Sequence, residues 1–285
     1  MQETKTIDHF SKTYANSVRG AVIYHGPSAL VPTSPIIAVL VWRSANTKTG
    51  SMAQVFILPA DQSPLDSLNT ADANEAICGT CVLQGRYDPD AKKRRGRSCY
   101  VRVYQSPLAV FRAWERGIYP EWHGLICRHS GHRRRTCARC KVFADKLRVG
   151  KTRIGSYGDP AALPVALVRS LAISSAGHTA YSSSLFSIPR RRADALAKYC
   201  MCSTHSEDER RRAIRRGWRT FHVVPLGDAP PTTDTIECLH YSPRKLTCAE
   251  CLLCEGAGAN LLGASMHQGP HIWARAHGFA KQLIT

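Results

Sequence analysis

Hydrophobic and polar positions divide the first half of the chain into a few clear elements. Apolar runs at 36–42 and 52–58, joined by a polar turn over 46–50, predict a β-hairpin. A helix is predicted over 107–116, because Pro107 stands in its first turn and Gly117 follows its end. Residues 1–34 show no clear periodicity, so no element is predicted there.

In the second half, the pattern alternates between strand and helix. Strands are predicted over 147–156, 178–185, 199–204, 220–225 and 271–276, and helices over 161–173, 189–198 and 206–216. Ser206 can cap the last helix, with Glu209 in the capping-box position. This alternation predicts an α/β fold with a mostly parallel sheet, either open or a partial barrel. In both arrangements ligands bind at the carboxyl ends of the strands.

We predict three regions from these elements and from the cysteine positions. They are an N-terminal hairpin with a first cysteine loop (1–120), a basic cysteine-rich insertion (121–146), and an α/β domain with a C-terminal cysteine cluster (147–285). The first region is expected to pack on the third. The longest apolar run, 35–42, is far shorter than the roughly 20 residues that span a bilayer. We therefore expect no membrane contact and, in the absence of a signal-like amino terminus, a cytoplasmic location.

Composition adds two features to this picture. The 285 residues carry 39 Lys and Arg against 21 Asp and Glu, a net charge of +18. Such a charge favours a polyanionic partner, most often nucleic acid, although it also serves solubility. Twelve cysteines in a reducing compartment favour metal or redox chemistry over disulfides.

The C-terminal cysteines form the strongest motif. Cys238, Cys248, Cys251 and Cys254 follow the spacing Cys-x9-Cys-x2-Cys-x2-Cys. Thiolates at this spacing are typical ligands of an iron–sulfur cluster or of tetrahedral zinc, and the sequence leaves both open.

A second group comprises Cys78, Cys81 and Cys99. These thiols are predicted to share a metal whose fourth ligand is a histidine or Cys200; a structural zinc knuckle is the alternative. Cys200 and Cys202 lie on a predicted strand with their side chains on one face, so both are equally well explained as core residues.

A third group comprises Cys127, Cys137 and Cys140. Residues 127–140 align without gaps to 238–251, with seven identities in 14 positions. The match predicts either a duplicated metal loop or a shared bias toward Cys, Arg and His.

Candidate polar residues lie at the end of a predicted strand. Arg153, Tyr157 and Asp159 flank a glycine-containing turn, and we predict that they face a ligand at the working edge of the sheet. The alternative for Asp159 is a helix cap before Pro160. Candidate nucleic-acid contacts are Lys92, Lys93, Arg94, Arg95, Arg133, Arg134, Arg135, Arg190, Arg191 and Arg192.

Seven motifs in this order resemble an uncharacterised family of phage- and plasmid-borne proteins, some of which are labelled rolling-circle replication proteins. They are NTKTGSM (46–52), CGTC (78–81), SCY (98–100), RIGSYGDPAALP (153–164), YCM (199–201), GWRTFHV (217–223) and TCAECLLCEG (247–256). The resemblance implies a mobile-element protein that works in a bacterial host, although the paired histidines and tyrosine of a rolling-circle nuclease are not evident.

Three functions are compatible with these patterns. The first is a metal-cluster protein, with iron–sulfur or zinc, that contacts nucleic acid during replication of a mobile element. The second is an iron–sulfur enzyme with redox or radical chemistry, in which Arg153 and Asp159 line the substrate site. The third is a non-catalytic zinc protein or adaptor. The sequence does not distinguish the oligomeric state.

Overall fold

A computed structural model of the chain describes residues 18–43, 46–122, 138–225, 227–231, 234–257 and 270–276. Its strands are β1 (Gly20–Pro27), β2 (Pro35–Val41), β3 (Ala53–Pro59), β4 (Arg86–Asp88), β5 (Lys93–Arg95), β6 (Lys151–Tyr157), β7 (Gly177–Ser182), β8 (Met201–Thr204), β9 (Thr220–Val224), β10 (Thr235–Glu237) and β11 (His271–Arg275). Its α-helices are α1 (Ala71–Cys78), α2 (Ser106–Glu115), α3 (Ala138–Val149), α4 (Val165–Ser174), α5 (Arg190–Ala197), α6 (Glu207–Arg215) and α7 (Cys248–Cys251).

Nine of the strands form one sheet in the order β1-β2-β3-β6-β7-β8-β9-β11-β10. The first two pairs are antiparallel, and every pair from β3 to β10 is parallel. The predicted α/β class with a mostly parallel sheet is therefore confirmed, and the sheet is open rather than closed into a barrel. Because β3 pairs with β6, one sheet runs through both of the larger predicted regions.

The strand order places the helices that connect successive parallel strands on one side of the sheet. From β3 to β9 each parallel strand lies beside the next in the chain, so the connections all advance in one direction. Right-handed crossovers then put their helices on the same face. In agreement, α4 contacts β6 and β7, and α6 contacts β8 and β9. The opposite face, which we call the pocket face, is left for the loops that follow the strands.

The core explains why β2 and β3 were readily predicted. All seven residues of β3 are buried, and the apolar run of β2 is buried from Ile36 to Leu40. The hairpin register pairs Ile36 with Pro59 and Val41 with Gln54. Continuous apolar runs are typical of strands covered on both faces.

Several predicted boundaries need correction. Leu147 belongs to α3, and the strand predicted from there starts at Lys151. The helix predicted from Ala161 starts at Val165, because Pro164 has no N–H and holds Leu163 in extended backbone. A short 3-10 helix, Pro160–Ala162, precedes it. Seven of these strands and α-helices were not predicted: β1, β4, β5, β10, α1, α3 and α7. Within the described residues, none of the helices is both long and apolar enough to pass through a bilayer.

Candidate functional site

A cavity of about 160 Å³ lies on the pocket face, at the carboxyl ends of β6 to β9 and β11. The strands contribute side chains that alternate toward this face, among them Arg153, Tyr181, Ser203 and Val223. Five of its lining residues also line an adjoining cavity of about 450 Å³: Lys48, Tyr100, Val101, Arg153 and Ser156. This position matches the binding face expected of such a sheet.

Three cysteines from the loop after β3 line the same cavity, and we call them the first thiol set: Cys78, Cys81 and Cys99. Cys78 ends α1, and Cys81 follows a turn at Gly79. Cys99 is held near them because the backbone N–H groups of Ser98 and Cys99 both donate to the carbonyl of Leu83, at 3.0 and 2.8 Å. Two stretches separated by 18 residues in sequence therefore meet at the cavity.

The thiols of this set influence one another. Burial, and then the neighbouring Cys99 thiol, raise the pKa of Cys81 to about 11. The pKa of Cys78 is also raised well above its usual value, by burial and then by Cys81 and Cys99. Without a metal, these thiols therefore stay protonated near neutral pH.

Asp159 holds the loops around the cavity together through hydrogen bonds. Its carboxylate accepts hydrogen bonds from the backbone N–H groups of Ala161 (2.8 Å), Ser183 (2.9 Å) and Ser184 (3.1 Å), and from the Ser184 hydroxyl (2.9 Å). Its own N–H donates to the carbonyl of Ile77 at 2.6 Å, one residue before the first thiol set. Burial raises the pKa of Asp159. The helix-cap alternative from the sequence is thus observed, and the carboxylate oxygens already have four donors.

Gly158 shows how closely these segments approach. Its φ is +83°, and a Cβ atom there would lie 2.7 Å from the Cβ of Ile57 and 2.9 Å from its carbonyl oxygen. Any other residue would be strained by the positive φ, and its Cβ would clash with Ile57. The β6 end is therefore held directly against β3 and the loop that carries Cys78.

Arg153 lies at the centre of the pocket face and is 7% exposed. Its Nη2 donates to the hydroxyl of Tyr100 at 3.1 Å, and its guanidinium lies 4.9 Å from the ring centroid of Tyr181. Tyr157 is also buried and lines the cavity. Burial, followed by the nearby Cys78 thiol, raises the pKa of Tyr157 well above its usual value.

The C-terminal cysteines, Cys238, Cys248, Cys251 and Cys254, form the second thiol set and lie deeper on the pocket face. Cys254 is buried with Met201 and Ile272, near the amino ends of β8 and β11. Burial raises its pKa to about 12, although the hydroxyl of Tyr181 opposes this shift by donating a hydrogen bond to the thiol. Tyr181 therefore touches the second set and also lines the cavity.

The backbone around the second set is held on several sides. The side chain and backbone of Thr247 and Glu250 form a complete capping box at the start of α7. The N–H of Cys248 donates to the carbonyl of Lys48 (2.8 Å), which ties α7 to the 46–50 turn. The carbonyl of Cys254 accepts from Ala180 of β7 (3.0 Å), so the segment after α7 lies against the sheet.

The donor chemistry of both sets fits a thiophilic metal. Among the described residues, however, no group of three or more His, Cys, Asp or Glu side chains is arranged so that it could hold a metal ion. The thiols are therefore gathered near one another without converging on a single point, and metal binding stays a prediction.

The remaining predicted ligands are placed differently. Cys127 and Cys137 lie outside the described residues, as does the side chain of Cys140, whose backbone is in α3. Cys200 is fully buried just before β8 and does not line the cavity. Cys202 lies on the face of β8 opposite Ser203, where the charges of α6 influence it.

Among the predicted nucleic-acid contacts, Arg94 and Arg192 donate to backbone carbonyls of the fold, whereas Arg95 and Arg190 are exposed and pair with neighbouring carboxylates. Arg94 donates to the carbonyls of Gly85 and Ala71 (3.2 and 3.0 Å), and Arg95 pairs with Asp88 at 2.6 Å. Arg192 donates to the carbonyls of Ala29 and Ala161, and Arg190 pairs with Asp194 at 3.5 Å. Lys92, Lys93 and Arg191 are exposed, and Arg133, Arg134 and Arg135 lie outside the described residues.

Sequence reasoning missed several polar residues of the cavity, among them Lys48, Tyr100, Tyr181 and His205. His205 directly follows β8, and both of its ring nitrogens are buried without a hydrogen-bond partner in the described part of the chain. Burial lowers the pKa of His205. The place of His205 at the end of a predicted strand could have identified it. Lys48 and Tyr100 lie in segments whose placement beside the cavity depends on long-range contacts that the sequence does not reveal.

Comparison of the chain with family models, with curated proteins and with solved structures finds no match.

Proposed function

We propose that this protein is an enzyme that binds a small molecule in the cavity on its pocket face, with a metal centre held by the first thiol set. One observation carries the proposal: Cys78, Cys81 and Cys99 line the same cavity as Arg153 and Tyr181. Three thiols beside a cavity leave a position for substrate, as in metal sites that perform chemistry. Bound there, zinc would supply Lewis-acid chemistry, and an iron–sulfur cluster would supply electron transfer.

The second thiol set has a different role in this proposal. Its four cysteines supply the number and type of donors of a closed, four-coordinate centre, which stabilises structure and takes no substrate. Because Tyr181 donates to Cys254 and also lines the cavity, a metal at the second set would stabilise this part of the cavity wall. Iron–sulfur and zinc remain the two candidate cofactors for each set.

The chain's own residues prepare the cavity for proton transfer. A neutral His205 imidazole with two unpartnered nitrogens, in the described part of the chain, is able to accept a proton from a bound molecule. Asp159 acts as a positioning residue, since its four hydrogen bonds hold the β6 and β7 ends around the cavity.

Metal analysis with an absorbance spectrum tests this function on the full chain purified without oxygen. We expect bound zinc or iron in the wild type and the loss of one centre in Cys81→Ser. Cys202→Ser is the matched control, because Cys202 is equally a cysteine but is buried against α6, away from the cavity. Wild-type protein without metal, or equal losses in both variants, would rule out the proposed centre.

Nucleic-acid contact in a mobile element is the second candidate function. It is supported by the net charge of +18 and by the exposed Lys92, Lys93 and Arg191. Affinity for a DNA or RNA duplex that falls steeply as salt rises is the expected result. Absence of binding at low salt would eliminate this candidate.

A further inference from the structure

The charged groups of the cavity are unbalanced. Arg153, Lys48 and Arg275 line it, whereas Asp159 is the only carboxylate among its described lining residues. Asp159 is already held by four hydrogen-bond donors. Arg275 is also occupied, since its Nη1 donates to the carbonyls of Pro225 and Asp228. Two cationic side chains, Arg153 and Lys48, are therefore left to set the charge of the cavity.

Of these two side chains, Arg153 is the one whose burial is harder to explain. It forms no salt bridge with a described carboxylate, and its one hydrogen bond within the described chain uses Nη2 and the Tyr100 hydroxyl. Burial of a charge is costly unless the charge is paired. Stacking on Tyr181 fixes the guanidinium plane but supplies no counter-charge. Its remaining N–H donors are suited to the two oxygens of an anion.

Lys48 lies at the junction of the two cavities and can add a second positive charge. Its Nζ donates to the Tyr241 hydroxyl at 3.0 Å and lies 4.5 Å from the centroid of that ring. The hydrogen bond between the Lys48 carbonyl and Cys248 anchors its backbone. Lys48 is thus held near Arg153 by contacts that leave its charge uncompensated by a described carboxylate.

The rest of the cavity wall is largely apolar. Leu83, Val101, Phe221, Val223 and Ala274 contribute to it. An apolar wall favours a ligand body that does not need hydrogen bonds, with the polar recognition concentrated at a few side chains.

We propose that the cavity binds small molecules that combine one carboxylate or phosphate group, held by Arg153, with an apolar or aromatic body. The proposal rests on the proposed function for the location of the site, but it does not require a metal. The alternative explanation is that ionised thiols of the second set supply the negative charge that pairs with Arg153. Anion binding that depends on Arg153 would favour the ligand over the thiols.

The test is calorimetric titration of the full-length protein with three probes: benzoate, phenyl phosphate and the neutral benzyl alcohol. We expect one or both anions to bind more tightly than the alcohol. Arg153→Gln should weaken anion binding roughly tenfold or more, because a charge-assisted hydrogen-bonded pair is lost. Arg153→Lys should recover part of that loss. Arg169→Gln, at an exposed arginine on α4, is the matched control and should bind like the wild type.

Three results would overturn the inference: equal affinity for benzyl alcohol, no binding of either anion up to about 10 mM, or wild-type affinity in Arg153→Gln. If Arg153→Gln does not fold, NMR of the wild type decides, since phenyl phosphate should shift the Nε–H signal of Arg153 and an unshifted signal would refute the contact. Wild-type protein that contains metal but binds neither anion would contradict this inference alone, whereas wild-type protein that binds an anion but contains no metal would contradict only the proposed metal centre.

Discussion

The two thiol sets occupy the same face of one sheet, yet their surroundings differ. Cys78, Cys81 and Cys99 lie where loops meet at the carboxyl ends of the strands and line a cavity. In the second set, Cys254 is buried on Met201 and Ile272, and α7 is tied to the 46–50 turn. Similar donors therefore lie in two environments: one set lines a cavity, and the other includes a cysteine that is buried in a hydrophobic cluster. Tyr181 donates a hydrogen bond to Cys254 of the second set and lines the same cavity as the first set.

The largest expected difference between the sets is in stability. If the second set holds the proposed structural metal, Cys251→Ser should lower the free energy of unfolding by about 4 kcal/mol or more, because loss of such a metal is among the most damaging changes. Cys81→Ser should cost far less, since its set faces a cavity. Urea unfolding followed by tryptophan fluorescence measures both. Equal costs for the two variants would contradict the division of roles.

A second prediction concerns the tight packing that holds the first set. Gly158→Ala should cost about 3 kcal/mol, because it adds a Cβ 2.7 Å from that of Ile57 at a positive φ. Gly217→Ala is the control: its φ is +74°, but no atom lies within 4 Å of the added Cβ, so it should cost only about 1 kcal/mol. Thermal unfolding compares the two, and equal shifts would show that the β6–β3 contact is not close.

The third prediction is a pH effect near the second set. Burial lowers the pKa of His178, whose Nε2 lies 2.9 Å from the carbonyl of Tyr199. Below about pH 6.5 the unfolded chain takes up a proton that the folded chain resists, so stability is retained above this pH and lost as pH falls. The loss is at most about 1.4 kcal/mol per pH unit. Urea unfolding at several pH values should show a shallower slope for His178→Gln; parallel curves would refute the assignment.

The smallest expected effect is that of removing the Tyr181 hydroxyl, which lies between the cavity and the second thiol set. Tyr181→Phe removes the hydroxyl that donates to Cys254 and should cost about 1 kcal/mol. The ring that stacks on Arg153 remains, so anion affinity should change little. Chemical unfolding and the benzoate titration are read together. A tenfold loss of anion affinity would show that the hydroxyl, and not the ring, governs the cavity.

The sequence predicted the sheet better than the site. Apolar runs such as 36–42 and caps such as Ser206 act locally, and the Ser206 hydroxyl does accept from the Glu209 N–H at 3.2 Å. Glu209, however, accepts from His205 instead of completing the capping box. β10 has three residues and only partly buried side chains, so it gave no periodic signal.

The site depends on long-range contacts that leave little trace in the sequence. Cys78 and Cys99 come together through the carbonyl of Leu83, and Lys48 reaches the cavity because α7 binds its backbone. Arg153 was predicted to face a ligand at the working edge of the sheet from its place before a glycine-containing turn, and it lines the cavity at the carboxyl ends of the strands. The basic run at 92–95 was predicted to contact nucleic acid, but Arg94 points inward and donates to the carbonyls of Gly85 and Ala71. The sequence alone does not show that these carbonyls lie within its reach.

The most direct test is anomalous X-ray scattering from crystals of the protein purified without oxygen and grown with phenyl phosphate. We expect a metal signal bonded to Cys78, Cys81 and Cys99 and facing the cavity, with the phosphate group on Arg153. A map with no anomalous scatterer at these three thiols, in well-ordered density for all of them, would contradict the proposed metal centre.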